Sequence, residues 1–457
     1  MSELQTLVSK DEYEYAEILA LVQQHMSTNE KEVINQIRAE FDEEHKESEE
    51  KLKDSIDTFI LDNNYKCTTI ETREELVAKL FDSMVRYDFL TKYILDDVYI
   101  IENGIEEINA NAWNEIYITD KNGVHRSEDS FCSPEQALTI MTAIATRLDK
   151  TLNEGTPTFL GEIRKNIRIA CAGVPVVSPE KVVTFSIRIV SLKDLTRKDL
   201  VDFNTYSDDE LTLLETLVKN GVSVLFAGAT NSGKTASMNY LLTMLTQDEK
   251  IRTGTIEIEA REFDLPEYDE NGVVKNNTFS WVTRESNDPE KNVDANDLEE
   301  LILRFSPQVV GIGEMRNKEA MITCEVATTG HTVITTTHSK NASRAYDRVV
   351  MLCKKAQLGY DDATLYRLAL EAFPVVAFQR YYDSDRSRIC TEIVEGLGYE
   401  NGVVKTQTLY KFVRDTSKKH VIEGYHQFVN NISKELQTIL MDNGASDDEI
   451  ARICHAN

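Results

Sequence analysis

Residues 222–246 combine three features that together permit few local folds. Residues 222–227 are an apolar run that predicts a buried strand, residues 228–235 form a Gly-x-x-x-x-Gly-Lys-Thr turn, and residues 236–246 suit a helix. The two glycines let successive N–H groups point inward, and the helix adds the positive end of its dipole. A plain glycine-rich turn is the alternative, but the spacing, the strand and the helix together predict a cradle for nucleotide phosphates.

Each residue of this turn, the P-loop, has an expected role. Lys234 would reach the β- and γ-phosphates, and the hydroxyl of Thr235 would bind Mg²⁺, which bridges the same phosphates. ATP and Mg²⁺ are therefore the expected ligands. The expected nucleotide-binding residues are Gly228, Ala229, Thr230, Asn231, Ser232, Gly233, Lys234, Thr235 and Ala236.

Composition is typical of a soluble globular protein. The chain has 457 residues, of which 41% are hydrophobic, enough for about three domains. No apolar run approaches the roughly 18 residues of a membrane span, and the N-terminus resembles no secretion signal, which predicts a cytoplasmic protein. Seven cysteines without Cys-x-x-Cys pairs predict reduced thiols and no zinc site. The net charge of −28 disfavours direct binding of nucleic acid or an anionic bilayer.

The pattern along the chain divides it into three parts. Residues 1–95 are nearly free of Gly and Pro and predict a helical N-terminal appendage. Residues 96–200 carry short alternating runs and turns, which predict a small α+β N-domain, and residues 191–209 are a candidate linker. Residues 210–457 alternate strands with helices, which predicts an α/β catalytic domain with a mostly parallel sheet and C-terminal helices.

Two further segments carry candidate site residues. Residues 307–316 contain an apolar strand that leads into Glu314, where a P-loop ATPase needs a carboxylate near Mg²⁺ or the attacking water. Pairing with Arg316 is the structural alternative for Glu314. His331 and His338 occupy opposite ends of a Thr-rich strand, and because no third ligand is in view they favour a polar relay over a metal site.

Taken together, these motifs resemble the secretion ATPase family, which powers type II and type IV secretion, conjugation and pilus assembly. The resemblance lies in the P-loop, the acidic stretch 255–262, the strand before Glu314 and the histidine segment 329–338. They follow the family's order of Walker A loop, aspartate box, Walker B strand and histidine box. Residues 105–118 are more weakly similar to the start of the family's N-domain.

The resemblance implies a Mg²⁺-dependent ATPase that works as a ring-shaped homo-oligomer, expected to be a hexamer. It also implies a place at the inner face of the cytoplasmic membrane, reached through inner-membrane platform or secretion-channel proteins. Glu314 would be the Walker B glutamate and, with Thr235, a Mg²⁺ ligand, while His331 and His338 would be the histidine-box residues. Basic groups toward the nucleotide, each of which could equally be a surface or structural residue, would be Arg188, Arg284 and Arg304.

The acidic stretch departs from the family pattern, because it lacks the usual Asp. Glu257, Glu259 and Glu262 therefore compete to activate the attacking water. If the strand continues, Glu257 and Glu259 share one face and Glu262 takes the other, which favours Glu257 and then Glu259. The departure keeps a second function open, a nucleotide-binding regulatory or scaffolding subunit with little turnover. The net charge opposes a third, a nucleic-acid motor.

Overall fold

The computed structural model of the chain divides into two compact units, Met1–Leu192 and Lys193–Asn457. The described residues are 12–30, 33–34, 37, 46–164, 166–189, 195–258, 263, 265–284, 289–418 and 420–455.

Helices form the first part of the first unit. The apolar residues of the helix Arg73–Val85 recur at helical spacing. Leu76, Leu80 and Met84 are buried in one core with side chains of the helices Tyr15–Asn29 and Lys46–Asp62. The hydroxyl of Thr72 caps this helix by accepting a hydrogen bond from the N–H of Glu75 at 3.3 Å. The helices are α1 (Tyr15–Asn29), α2 (Lys46–Asp62), α3 (Arg73–Val85), α4 (Thr91–Ile94) and α5 (Asp97–Asn103).

An antiparallel sheet with one long helix forms the rest of the first unit. Its elements are β1 (Glu107–Ala112), β2 (Glu115–Asp120), β3 (Gly123–Arg126), α6 (Pro134–Arg147), β4 (Thr158–Arg164), β5 (Ile167–Gly173) and β6 (Val183–Ile189). The strand order is β3-β2-β1-β6-β5-β4. Ile140 and Ile144 of α6 share a core with Phe159 of β4 and Ile187 of β6, so α6 covers one face of the sheet.

The second unit alternates strands and helices and then continues in strands. Its helices are α7 (Arg197–Asp202), α8 (Asp208–Lys219), α9 (Lys234–Thr246), α10 (Ala295–Phe305), α11 (Ala320–Thr328), α12 (Arg344–Cys353), α13 (Asp362–Ala372), α14 (Lys434–Asp442) and α15 (Asp447–Ile453). Its strands are β7 (Val224–Gly228), β8 (Thr253–Glu257), β9 (Thr278–Val282), β10 (Val309–Ile312), β11 (Thr332–His338), β12 (Val375–Tyr381), β13 (Arg388–Glu400), β14 (Val403–Arg414) and β15 (Gly424–Phe428).

A nine-stranded sheet organises the second unit. Its order is β15-β14-β13-β12-β7-β11-β10-β8-β9. The strands from β12 to β9 run parallel, and β13, β14 and β15 extend the sheet in antiparallel pairs. The predicted fold class is confirmed, because an α/β unit with a mostly parallel sheet follows helices and an α+β part.

The central strand β7 is buried on both faces, as is usual for a parallel sheet covered by helices. Val224 and Phe226 face a core that includes Leu217 of α8 and Leu241 of α9. Leu225 and Ala227 face the other core, which α11, α12 and α13 complete. This burial fixes the strand that carries the P-loop.

Two segments differ from the sequence prediction. The candidate linker 191–209 contains α7, whose N-terminus is capped by Thr196, while residues 190–194 lie outside the described part. The tail was predicted to end in helices, and α14 and α15 are present, but β13, β14 and β15 precede them. In β14 the burial pattern is irregular and the strand is mostly polar, so it shows no clear two-residue alternation.

No described helix has both the length and the apolar composition needed to cross a membrane.

Candidate nucleotide site

The P-loop lies at the carboxyl edge of the parallel strands, where β7 ends. A Cβ atom on Gly228 would lie 2.2 Å from the carbonyl oxygen of Gln379 in β12 and 2.7 Å from Oγ of Ser232. No side chain fits in that space, so the close approach of β12 requires glycine here. Asn231 and Gly233 both adopt left-handed backbone conformations, with φ values of 62° and 92°.

The Lys234 side chain is held inside the turn. It is 7% exposed, and its Nζ donates to the carbonyl oxygen of Ala229 at 2.7 Å. The hydroxyl of Ser232 donates to the same oxygen at 2.8 Å. The N-cap of α9 is Gly233, which has no side chain to satisfy the first N–H groups of the helix. A positive charge and a helix N-terminus therefore meet in one small turn.

These residues fit the triphosphate of ATP with Mg²⁺. The turn offers backbone N–H donors and an ammonium group, and its apex, Ala229 and Thr230, is exposed to solvent. Thr235 and Ala236 lie in the first turn of α9, so the Thr235 hydroxyl is within the same short segment. A hydroxyl and a carboxylate are the oxygen ligands that Mg²⁺ prefers in such sites.

The carboxylate of Glu314 follows β10 at the same edge of the sheet. Its Oε1 lies 3.1 Å from Nε2 of His338, and its Oε2 accepts a hydrogen bond from Nε of Arg316 at 2.8 Å. Burial by itself would raise the pKa of Glu314, but His338 and Arg316 lower that pKa to about 2. The ionised form is therefore strongly favoured. The pairing with Arg316 is present and does not remove Glu314 from this edge.

His338 connects Glu314 with the strand that carries the P-loop. Its Nδ1 lies 3.2 Å from the carbonyl oxygen of Gly228, so both ring nitrogens face acceptors. The Glu314 segment is fixed to β11 as well, because Oγ1 of Thr336 donates to the carbonyl oxygen of Gly313 at 2.9 Å. A continuous set of contacts thus joins the end of β7 to the carboxylate.

Glu257 ends β8, the neighbour of β10, and is fully buried. Its Oε2 accepts a hydrogen bond from the N–H of Phe263 at 3.0 Å. The strand β8 ends at Glu257, whereas the expected sharing of faces requires a strand that continues past it. Glu259 and Glu262 lie outside the described residues, so their places on the two faces stay a prediction.

The structure does not bring His331 and Arg304 to the P-loop edge. His331 precedes β11, roughly 23 Å along the strand from His338, and its Nδ1 lies 2.7 Å from the carbonyl oxygen of Pro307. Arg304 is exposed in the last turn of α10, just before β10 begins. It therefore lies at the amino ends of the parallel strands, opposite the edge that carries the P-loop. Of these two histidines, His338 lies at the edge that carries the P-loop and His331 lies at the opposite edge. The expected roles of both as histidine-box residues stay a prediction.

The other two predicted arginines are exposed. Arg284 follows β9 at the carboxyl edge, where its backbone pairs with Val293, but three strands separate β9 from β7. At the usual strand spacing, the distance from β7 to β9 is roughly 19 Å. Arg188 lies in β6 of the first unit.

Two residues that sequence reasoning missed contact the P-loop. Gln379 pairs with Gly228 in the sheet, and its Nε2 donates to Oγ of Ser237 in α9 at 2.9 Å. Nε of Arg388 donates to the carbonyl oxygen of Asn231 at 2.9 Å. Both belong to strands far along the chain from the P-loop, and no local pattern marks them.

The model of the Type II/IV secretion system protein family matches residues 145–419. The chain belongs to this family. The matched segment contains the P-loop, Glu257, Glu314 and His338, and it confirms the family that the sequence motifs indicated.

Several curated proteins are similar to this chain. MJ0900, an uncharacterized protein of Methanocaldococcus jannaschii, is 27% identical over 281 residues, which are 61% of this chain and 47% of that protein. The Type IV secretion system protein PtlH of Bordetella pertussis is 25% identical over 56% of this chain and 78% of its own length. The Type IV secretion system protein VirB11 of Bartonella henselae is 25% identical over 60% and 83%. The chain thus spans about half the length of the archaeal relative.

Solved structures with a distant likeness include two described as ATPases. The VirB11 ATPase from the type IV secretion system of Brucella suis has a TM-score of 0.33 and 20% identity, over 70% of this chain and 94% of that one. The ATPase DotB of Legionella pneumophila has a TM-score of 0.46 and 15% identity, over 77% of this chain and 83% of that one.

We expect Glu314→Gln to destabilise the protein in a pH-dependent way. Because the folded pKa of about 2 is below the ordinary 4.5, the ionised carboxylate contributes stability that is complete well above pH 4.5 and is lost as pH falls toward 2. The difference in unfolding free energy from wild type should be about 3 kcal/mol at pH 7 and should shrink by pH 3. Urea unfolding of both proteins at pH 7, 5, 4 and 3 measures it.

The exposed Glu300 serves as the control for this comparison. Glu300→Gln should stay within about 0.5 kcal/mol of wild type at each pH. A Glu314→Gln difference that is the same at pH 7 and pH 3 would contradict the paired, ionised state of Glu314.

Proposed function

We propose that this chain is a Mg²⁺-dependent ATPase motor that works as a ring-shaped homo-oligomer, a hexamer, and powers pilus assembly or the secretion of protein or DNA across the cytoplasmic membrane. The main observation behind the proposal is a connected set of contacts at the carboxyl edge of the parallel strands. Lys234 lies inside the P-loop, and Glu314 is joined through His338 to the strand on which the P-loop is built. Membership of the Type II/IV secretion system protein family supports the same function.

The residues of this edge divide the work of phosphoryl transfer. The backbone N–H groups of the P-loop and the Lys234 ammonium bind and orient the triphosphate, which is the main task in this chemistry. Bound Mg²⁺, held by Thr235 and Glu314, would neutralise charge on the phosphate oxygens. Glu257, with Glu259 as the alternative, would orient the attacking water. The contact of 3.1 Å between Nε2 of His338 and Oε1 of Glu314 would keep Glu314 in position.

Partners and location follow from the family and the relatives. PtlH and VirB11 are named type IV secretion system proteins, which supports an assignment to such a machine. The proposed partners are inner-membrane platform or secretion-channel proteins, and the proposed location is the cytoplasm, at the inner face of the membrane. The net charge of −28 argues against direct nucleic-acid contact. Arg188, Arg284 and Arg304 remain candidates for contacts with nucleotide at subunit boundaries.

One observation favours the second candidate, a nucleotide-binding regulatory or scaffolding subunit with little turnover. Glu257 is buried, and its Oε2 already accepts a hydrogen bond from the Phe263 N–H. A carboxylate engaged in that way is less free to accept a proton from water. Steady-state phosphate release separates the two functions, because only the motor requires sustained hydrolysis.

We expect Lys234→Ala to abolish ATP hydrolysis, since it removes the charge that meets the β- and γ-phosphates. Glu314→Gln should still bind ATP and hydrolyse it at least about a hundredfold more slowly, because the amide keeps the shape of the side chain but loses its charge.

Phosphate release measures hydrolysis by both variants, and a fluorescent nucleotide measures their binding of ATP. Lys250→Ala, at an exposed lysine, is the control. Turnover of Lys234→Ala above about a tenth of wild type would refute the P-loop assignment.

The acidic stretch can be tested by a Gln substitution at each glutamate. If Glu257 orients the attacking water, Glu257→Gln should lower the single-turnover rate by about two orders of magnitude and leave ATP affinity nearly unchanged. Glu262→Gln should have a mild effect. A largest loss at Glu259 or Glu262 would move the water-activating role to that residue.

We expect the protein to assemble into a closed ring when it binds a slowly hydrolysed ATP analogue, because closed rings satisfy a head-to-tail interface on every subunit. Light scattering at micromolar protein concentration, with and without the analogue, gives the mass. A monomer under both conditions is the result that rejects the ring.

A further inference from the structure

The start of β13 lies against the outside of the P-loop. Arg388, the first residue of this strand, pairs with Tyr381 of β12 in the sheet, and its Nε donates to the carbonyl oxygen of Asn231 at 2.9 Å. The position that a Cβ of Gly233 would occupy is 3.5 Å from Cδ of Arg388 and 3.5 Å from Nε2 of Gln379. Arg388 therefore both hydrogen-bonds the turn and packs on its backbone.

The geometry of the peptide bond gives this contact a consequence inside the turn. In a planar trans peptide, the C=O and the following N–H point in opposite directions. A hydrogen bond that fixes the carbonyl oxygen of Asn231 toward Arg388 therefore directs the N–H of Ser232 away from Arg388. This places a backbone donor on the side of the turn opposite the guanidinium.

An external partner stabilises the turn at this point, where Asn231 holds an uncommon backbone conformation. Its φ of 62° lies in the left-handed region, which asparagine tolerates better than most residues but still adopts at a cost of up to roughly 1 kcal/mol. The side chains of the apex residues before it, Ala229 and Thr230, are exposed to solvent. A charge-assisted hydrogen bond to the backbone is strong enough to offset that cost.

Arg388 is itself firmly placed. Its guanidinium lies 5.2 Å from the centre of the Tyr381 ring, and the turn before it closes through a hydrogen bond from the N–H of Tyr382 to the carbonyl oxygen of Ser387 at 3.0 Å. Asp385 accepts from the Ser387 hydroxyl at 2.6 Å and from the N–H of Ile422 at 2.5 Å. These hydrogen bonds connect the turn to the segment before β15, so the end of β13 that carries Arg388 is held in place on both sides.

We propose that Arg388 is a positioning residue that holds the P-loop in its nucleotide-binding conformation from the outer side. The inference rests on the proposed ATP binding. Without Arg388, a smaller fraction of the free protein has the P-loop in its binding-competent conformation, and the apparent dissociation constant for ATP rises as the inverse of that fraction. Saturating ATP restores this conformation, so the affinity for ATP falls while kcat is kept.

The test compares Arg388→Ala, Arg388→Lys and Arg414→Ala with wild type. For Arg388→Ala we expect the KM and Kd for ATP to rise about tenfold or more and kcat to stay within about twofold. Arg388→Lys should recover part of the affinity, because an ammonium can donate to the same carbonyl oxygen. Arg414 is the matched control, since its guanidinium lies 5.6 Å from the Tyr382 ring in the same antiparallel segment. Arg414→Ala should leave the KM and the Kd for ATP unchanged.

Hydrogen exchange gives a second measurement that does not depend on turnover. Peptides covering residues 229–236 should exchange faster in Arg388→Ala than in wild type, and saturating ATP should remove the difference. This experiment and Arg388→Lys keep the test informative if Arg388→Ala is unstable.

Three results would overturn the inference. Wild type that fails to bind ATP rejects the proposed function and this inference together. Wild type that binds ATP, with Arg388→Ala binding equally well, rejects only the role of Arg388. A fall in kcat with unchanged KM would show that Arg388 acts in the chemical step and not by positioning the turn.

Discussion

The second unit depends on one close backbone approach, between Gly228 of β7 and Gln379 of β12. An added Cβ there would lie 2.2 Å from a carbonyl oxygen, so the strand must end in glycine and the chain must turn away. The same register places His338 of β11 opposite Gly228 on the other side. The P-loop, His338 and the contacts of β12 are therefore positioned by the pairing of three adjacent strands.

The site concentrates positive charge in a chain whose net charge is −28. Lys234, the N-terminus of α9 and Arg388 all meet at the P-loop. A chain that is acidic overall repels extended polyanions. A local cluster of donors still attracts a small anion, because salt limits the range of electrostatic interactions between surface charges to about 10 Å at ordinary ionic strength. Within the proposed function, this distribution favours a small anion such as a nucleotide over an extended nucleic acid. Composition alone could therefore disfavour nucleic acid as a partner but could not identify the nucleotide.

Local features were predictable from the sequence and distant contacts were not. The P-loop, its flanking strand and helix, and the strand before Glu314 follow from spacing within a few residues, and the structure has them close to where they were expected. Arg388 contacts Asn231 across 157 positions of the chain, and a single sequence contains no trace of that pairing. Continuation of the strand past Glu257 was considered because alternating acidic and apolar residues run beyond the point where β8 ends.

Glu257 and Glu314 show how two like side chains on adjacent strands can serve different purposes. Glu314 contacts His338 and the guanidinium of Arg316, which lower its pKa to about 2 and suit it to a negative charge beside a metal ion. Glu257 is fully buried and accepts a backbone N–H. Different environments are how one fold gives carboxylates separate roles. On the proposed function, Glu314 would supply the charge beside Mg²⁺ and Glu257 would orient the attacking water, so turnover would require both carboxylates.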